Sequence, residues 1–506
     1  MLIIKLEKIV LECGRRKRME TGIIISIAIY MLGMLYIGYY SYKRTSNLND
    51  YMLGGRDLGP LTTALSAGAS DMSGWLVMGL PGAMFATGLS SGWIAVGLTV
   101  GALLNWIYVA PRLRVYTEIA NDSITIPGYL ENRFGEKAKI LRMVSGVVIL
   151  VFFTFYVSSG MVSGGVLFES IFGLNYHTGL LIIAGVTIAY TLFGGFLAVS
   201  LTDLVQGLIM VIALVLVPIV ALTEIGGLGV AVDTAKEIDP ALLDVFRGTS
   251  FLGIISLLAW GLGYFGQPHI IVRFMAIKSV KDVKKATWMG MIWMVFCIIG
   301  AMFIGFVGIG FFNNTQYSID DPETVFILLG EILFHPLITG FIIAAILAAI
   351  MSTVSSQLLV TSSSLTEDIY NSFLRKSATD KELVFIGRLS VLIISVIALY
   401  LSWEKNSTIL DLVGYAWAGF GSAFGPLVLL SLYWKRMTSW GALAGMIFGT
   451  ATVIIWSAAG LSDTLYEIIP GFLLSLLAII VVSLLTSKPP KKVEEDFDEY
   501  QRVIKS

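Results

Sequence analysis

Residues 64–82 read ALSAGASDMSGWLVMGLPG, and the break they contain governs the reading of the whole chain. The stretch lies inside a long apolar run, yet it holds serines, four glycines, a proline and one carboxylate, Asp71. A charged side chain at bilayer depth costs about 2.5–3.5 kcal/mol on insertion scales, so such a residue faces a cavity, an ion path or a partner. Gly68, Ser70, Ser73 and Gly74 surround Asp71, and residues of these types let a helix unwind. An unwound turn frees carbonyl oxygens, hard ligands suited to a cation such as sodium. The competing reading is a kinked helix in which Asp71 caps a neighbouring half-helix. The ion site is the favoured of the two.

The 506 residues around it are 56% hydrophobic and only 14% charged. Soluble domains carry about 25% charged residues, so this is an all-α polytopic membrane protein. A net charge of −1 gives no sign of nucleic acid. Cys13 and Cys297 are too few for a disulfide framework. His177, His269 and His335 are scattered, with no metal-ligand spacing. The chain has no G-x-x-x-x-G-K-[ST] run to bind ATP, no nucleophile elbow and no helical H-E-x-x-H. The expectation is no enzyme and no organic cofactor.

Apolar runs of spanning length number about 13, near 21–43, 61–85, 91–110, 143–165, 178–198, 204–224, 250–272, 286–312, 325–365, 384–403, 409–433, 439–460 and 467–486. The ninth is too long for one span, so its first part reads as a separate re-entrant or extracellular helix. Numbering the connections alternately, one set carries 25 of the 34 Lys and Arg residues and the other only Lys236, Arg247 and Lys405. The rich set is cytoplasmic by the positive-inside rule, which places the C-terminus inside and the first span's start outside. Six more positive charges lie in residues 1–18, on the side otherwise nearly free of them. The expectation is that translation starts at Met19 and that 1–18 are a mis-annotated or disordered extension. Detecting peptides from Met1–Arg18 in the expressed protein by mass spectrometry would overturn it. The transporter domain is then 19–487, and 488–506 form a mixed-charge cytoplasmic tail expected to be partly disordered.

A second interrupted run, SLLAWGLGYFGQPHII at 256–271, breaks at Gly261, Gly263, Gly266, Gln267 and Pro268, with Trp260, Tyr264 and Phe265 along it. Each interrupted run starts a five-span block, 61–224 and 250–433. An odd number of spans inverts the second block relative to the first, and paired broken helices in inverted repeats point to a secondary transporter with a midplane site. Two unrelated kinks are the alternative. A third cluster, AAIMSTVSSQLLVTSSS at 348–364, crowds Ser352, Thr353, Ser355, Ser356 and Gln357. Isolated hydroxyls in a membrane helix bond to the preceding turn. Small residues such as Ala348 and Ala349 beside many hydroxyls suit a dehydrated alkali ion opposite broken-helix carbonyls. Thr202-Asp203 either gates by hydrogen bonding or caps a helix start, Tyr156 taken alone packs, and the basic 133–142 stretch reads as a solvated helix at the membrane surface.

SAGASDMSGWLVMGLPGA, WGLGYFGQPHIIVRFMA, GGFLAVSLTDLVQG at 194–207 and AAIMSTVSSQLLVTSSSLTEDIY together resemble the sodium:solute symporter family, in its proline-importing branch. The resemblance runs from about Met19 to the end of the last span. It implies a leucine-transporter-like 5+5 inverted repeat, with one span before the repeats and two after. By matched position, sodium is expected on the backbone carbonyls of Ala69 and Met72 with Ala349, Ser352 and Thr353, and Asp71 as the carboxylate that influences sodium binding. L-proline is expected between Ser73, Trp75, Gly79, Tyr156, Trp260, Tyr264 and Pro268, and Asp203 is a gating candidate. The implied protein sits in a bacterial plasma membrane among its lipids, imports L-proline with sodium as coupling ion, and has no nucleic-acid partner. A sodium symporter for pantothenate, a short carboxylate or a sugar is the alternative. A sensory membrane domain fits less well, because no long signalling region follows 487.

Overall fold

The computed structural model describes residues 2–44, 48–135, 138–247, 249–375, 378–405 and 407–505, without the side chains of 2–20, 48, 190, 193 and 194. The fold among these residues is helical throughout; extended backbone pairs only at one bridge, Leu58 with Ile277. The expectation for residues 1–18 falls on side chains outside the described set.

Helix starts follow local chemistry. Asn175, Ser250, Ser279, Thr379, Thr408 and Thr438 each accept an N–H from the first turn of the helix they precede, satisfying a donor that has no partner inside the helix. Ten described helices are long and apolar enough to cross a membrane, or eleven with the bent pair Phe251–Gly266 and Pro268–Ala276 joined. That count falls short of the 13 expected. Two places account for the difference. Trp75–Ile119 forms one 45-residue stretch across the turn at Gly88 (φ 67°), and Tyr176–Ala189 is shorter than a full span. The latter joins the next helix at Gly195, whose φ of 59° favours glycine, and where a Cβ would sit 2.8 Å from the Tyr51 ring. The long ninth run divides at Phe334–His335 into Val325–Leu333 and Pro336–Ser363.

The two broken helices lie at the centre. The first runs Pro60–Asp71, loses helical geometry at Met72 (φ −80°, ψ 80°) and resumes at Trp75–Gly79 as a wide π-helical turn. The second tightens into a 3₁₀ segment over Ala259–Gly266, passes through extended Gln267 and bends by 44° into Pro268–Ala276. Pro336–Ser363 packs between Leu2–Tyr42, Tyr176–Glu224 and Lys139–Phe172, and also touches the first broken helix. Gly97 and Gly101 let the third span press onto the second broken helix, where a Cβ on either would strike the backbone of Leu258 or Gly261. This is the close approach that small residues four apart permit between membrane helices.

Two expectations need correcting. The tail is ordered. Lys491–Lys505 is a helix whose Val493, Phe497 and Tyr500 are buried, with Tyr500 stacked on Tyr116 at 4.4 Å. Apolar residues four and three apart supply the face that a reading of charge alone missed. Nor is the 133–142 stretch one solvated helix. Its first helix ends at Phe134, and Arg133 is buried under the tail with its guanidinium over Tyr116 and Phe497.

Candidate functional site

The break in the first helix redirects backbone hydrogen bonds. In an unbroken helix the Ala69 carbonyl takes the Ser73 N–H; here the Ser73 N–H turns back to the Asp71 carbonyl at 3.0 Å. Ala69 instead accepts the Ser352 hydroxyl at 2.7 Å and lies 3.4 Å from that of Thr353. Both hydroxyls lie 3.2 Å from the Ala349 carbonyl. The structure therefore gathers Ala69, Ala349, Ser352 and Thr353, with Met72 three residues on at the break. Carbonyl and hydroxyl oxygens of a dry, small-residue interface can replace the hydration shell of an alkali ion.

Asp71 is the second focus. Its Oδ2 accepts the Tyr264 hydroxyl from the second broken helix, while its backbone carbonyl accepts Trp75 Nε1 at 2.9 Å and lies 3.5 Å from the Tyr156 hydroxyl. The Ser73 hydroxyl lies 3.4 Å from the Trp75 N–H. Ser73, Trp75, Tyr156 and Tyr264 thus converge on Asp71, all at most 3% exposed. The reading of Asp71 as a cap does not hold, because its carboxylate bonds a phenol. Trp260 lies farther off, stacked on Tyr466 at 5.3 Å and 6.4 Å from Trp417, which in turn meets the Tyr264 ring edge-on at 5.1 Å. Gly79 faces Leu410, and Pro268 begins the half-helix beyond the second break.

Asp203 is interior to its helix and caps nothing. Its Oδ2 takes the Ser66 hydroxyl at 2.7 Å and pairs with Arg273 Nη2 at 3.3 Å. Arg273 also reaches Ser66 at 3.1 Å, Ser356 at 2.5 Å and the His269 carbonyl at 2.5 Å. This wholly buried hub joins both broken helices, the ninth span and the sixth. Arg273, counted by sequence among the cytoplasmic charges, lies inside the protein. Reading the residues missed Arg273, Trp417, Tyr466 and Asn105 as site members. Gly97-x-x-x-Gly101 was the available signal that the helix carrying Asn105 abuts the second broken one.

Polar contacts of one arginine tie together the elements at one end of the site. Arg56, just before the first broken helix, bonds the Met275 carbonyl and the Ser123 carbonyl at 2.8 Å each and pairs with Asp122 at 2.9 Å. Burial of that guanidinium lowers its pKa from the ordinary value, and Asp122 opposes the shift. At the other end a cavity of about 370 Å³ is walled by hydroxyl residues, among them Thr87, Ser90, Ser91 and Ser250, with Asp463. No group of three or more His, Cys, Asp or Glu among the described residues is placed to hold a metal.

The pattern of the Sodium:solute symporter family matches residues 51–449. The chain is 68% identical over 468 residues to the high-affinity proline transporter PutP of Bacillus subtilis (strain 168), covering 92% of this chain and 99% of that one. It is 60% identical over 489 residues to the osmoregulated proline transporter OpuE of the same organism, covering 96% and 99%. Among solved structures, a Na+-coupled sialic acid symporter in a substrate-bound outward-open state superposes with TM-score 0.79 at 20% identity, over 93% of this chain and 99% of that one. MhsT in complex with L-phenylalanine superposes with TM-score 0.53 at 15% identity, over 84% and 98%. These likenesses show a leucine-transporter-like fold.

Proposed function

The chain belongs to the sodium:solute symporter family, and we propose that it imports L-proline with sodium by alternating access. The observation that carries this reading is the broken first helix, whose freed Ala69 carbonyl meets the Ser352 and Thr353 hydroxyls. The two proline transporters that match nearly its whole length support the choice of substrate. Sodium takes the carbonyls of Ala69, Met72 and Ala349 with the Ser352 and Thr353 hydroxyls, joining the break to the ninth span. Proline lies against Ser73, Trp75, Gly79, Tyr156, Trp260, Tyr264 and Pro268. Aromatic walls suit its ring, while hydroxyls and half-helix ends suit its charged groups. The Asp203–Arg273 hub links the elements that must separate, which suits a gate.

The 61–224 and 250–433 blocks are the inverted repeats that rock about the site. The plasma membrane of a bacterium is the setting, with the C-terminal tail and the Arg56 contacts cytoplasmic, as the count of Lys and Arg in the connections supports. Each sodium then brings in about 2.3 kcal/mol per 100 mV of membrane potential. Coupling requires proline to bind better with sodium present, and by reciprocity proline tightens sodium equally.

The test is radiolabelled L-proline uptake into proteoliposomes with and without an inward sodium gradient. Sodium-driven accumulation, competed by unlabelled proline but not by pantothenate or glucose, is the expected result. Proline uptake that is absent or indifferent to sodium would overturn the reading, and a screen of other small solutes against the same gradient would follow.

A further inference from the structure

No residue of the C-terminal helix Lys491–Lys505 is among those read as holding sodium or proline, yet its buried Val493, Phe497 and Tyr500 are each received by the body of the protein. Val493 lies against Gly135, just past Ile126–Phe134. Phe497 covers the Arg133 guanidinium at 5.0 Å. Tyr500 stacks on Tyr116 of Ala110–Ile119 with 4.4 Å between ring centres. Its hydroxyl donates to the Leu432 carbonyl at 3.1 Å, near the end of Ile409–Tyr433. Just past that helix, Lys435 Nζ pairs with Asp498 at 2.6 Å.

Tyr116 belongs to the 61–224 block and Leu432 to the 250–433 block, so one tyrosine ties the two together. Ile409–Tyr433 also carries Trp417, whose ring meets Tyr264 of the second broken helix edge-on. The strapped end and the aromatic wall therefore sit on one helix. Rocking of the blocks shifts Leu432 against Tyr116, and a docked tail resists that shift. The attachment is shallow. Beside it a cleft of about 690 Å³ opens between Lys492 and Asp496 of the tail and Asn121, Glu131 and Ser439 of the body. Both partners of the Lys435–Asp498 pair are exposed, and exposed ion pairs contribute little. A helix held by three side chains beside a cleft can lift while the elements beneath it stay folded.

We propose that the tail helix is a strap across the cytoplasmic face, which holds the two blocks together there and must lift for the site to open inward. The inference rests on alternating access and adds to it a regulatory segment that touches neither solute. Docked, the strap favours the arrangement closed to the cytoplasm; lifted, it leaves Leu432 and Tyr116 free to part.

The test uses the full chain with Cys13→Ser, which leaves the buried Cys297 as its other thiol. Lys435→Cys with Asp498→Cys is joined in detergent by a bismaleimide that contains a disulfide, then reconstituted into proteoliposomes. Sodium-driven L-proline uptake is expected to fall at least about tenfold when the tail is tied down, since opening steps of this kind set turnover. It should return when a thiol reductant cuts the linker. Sodium-dependent binding of labelled proline to the tied protein should persist, because the outward arrangement does not need the strap to lift. Lys435→Cys alone, treated the same way, is the control. The second variant, Phe497→Ser with Tyr500→Ser, frees the tail without removing it, and its initial uptake rate should rise about threefold at an unchanged half-saturating proline concentration. A tail that merely braces the fold predicts slower uptake and a lower thermal midpoint there. Tied protein that transports at the wild-type rate, or a freed tail with uptake at or below it, would overturn the strap while leaving symport intact. Should the freed-tail variant fail to fold, the tied protein decides alone. Wild-type uptake indifferent to sodium is a separate result, which removes the symport reading itself.

Discussion

Asp71→Asn is expected to insert and fold but to lose sodium-driven L-proline uptake by about 100-fold at low sodium, with the half-saturating sodium concentration raised at least about tenfold. The amide still accepts the Tyr264 hydroxyl, so the contact between the broken helices survives in neutral form. What disappears is the charge. A hydrogen bond to a charged group is worth about 1.5–3 kcal/mol against about 1 for a neutral one, and the attraction for a nearby cation goes with it. Each 1.4 kcal/mol is a factor of ten in affinity, so the two losses together reach the expected range. Uptake measured across a sodium series, with a thermal melt in detergent to establish folding, checks it. Unchanged sodium affinity in a well-folded Asp71→Asn protein would remove Asp71 from the coupling scheme.

The second large effect falls on stability. Arg273→Ala leaves Asp203 buried with neutral neighbours such as the Ser66 hydroxyl and without the guanidinium opposite it. Breaking a buried pair from one side typically costs about 3–5 kcal/mol, because the remaining charge is uncompensated. Against a total of about 5–15 kcal/mol, the thermal midpoint should drop sharply and expression with it. The double variant Asp203→Leu with Arg273→Met removes both charges, and most of the lost stability should return. Transport should not return, if the pair also serves to part and re-form between states. Three melts and three uptake assays separate the roles. A double variant as unstable as the single would show that the Arg273 guanidinium's contacts with the Phe196 ring, Ser66 and Ser356, rather than the charge pair, hold this region. A double variant that transports normally would end the case for a gate.

Both predictions draw on residues of unequal visibility in the sequence. Asp71 stood out at once, because one carboxylate in an apolar run is costly wherever the neighbouring helices lie. Asp203 was visible as an anomaly, but its two readings could not be separated until Arg273, 70 residues away, was seen across from it. Asn105 attracted no notice, since a lone amide in a membrane helix is unremarkable until it proves to be unpaired on a cavity that Asp71 also lines. Trp417 carries no signal in the sequence; its role shows only in the ring contacts that link Tyr264 to Trp260. The tail departs from the expectation for a related reason. Its charges are dense, and only the docking of Tyr500 on Tyr116 shows that Val493, Phe497 and Tyr500 form one face.

By itself the sequence determined that the chain spans a membrane in helices, where two of those helices break, and which run carries the hydroxyls. These properties are local: apolarity, the conformational freedom of Gly68, Gly74 and Gly261, and the missing N–H of Pro268 act through the nearest few residues. Only the tertiary structure decided which groups meet. The Ser73 N–H turning to Asp71 frees Ala69, but that Ser352 stands 2.7 Å from it, and that Asn105 shares a cavity with Asp71, depend on how far each helix is rotated about its axis and how closely it crosses its neighbours. Those quantities are set by the summed packing of side chains hundreds of residues apart, and no short stretch of chain contains them.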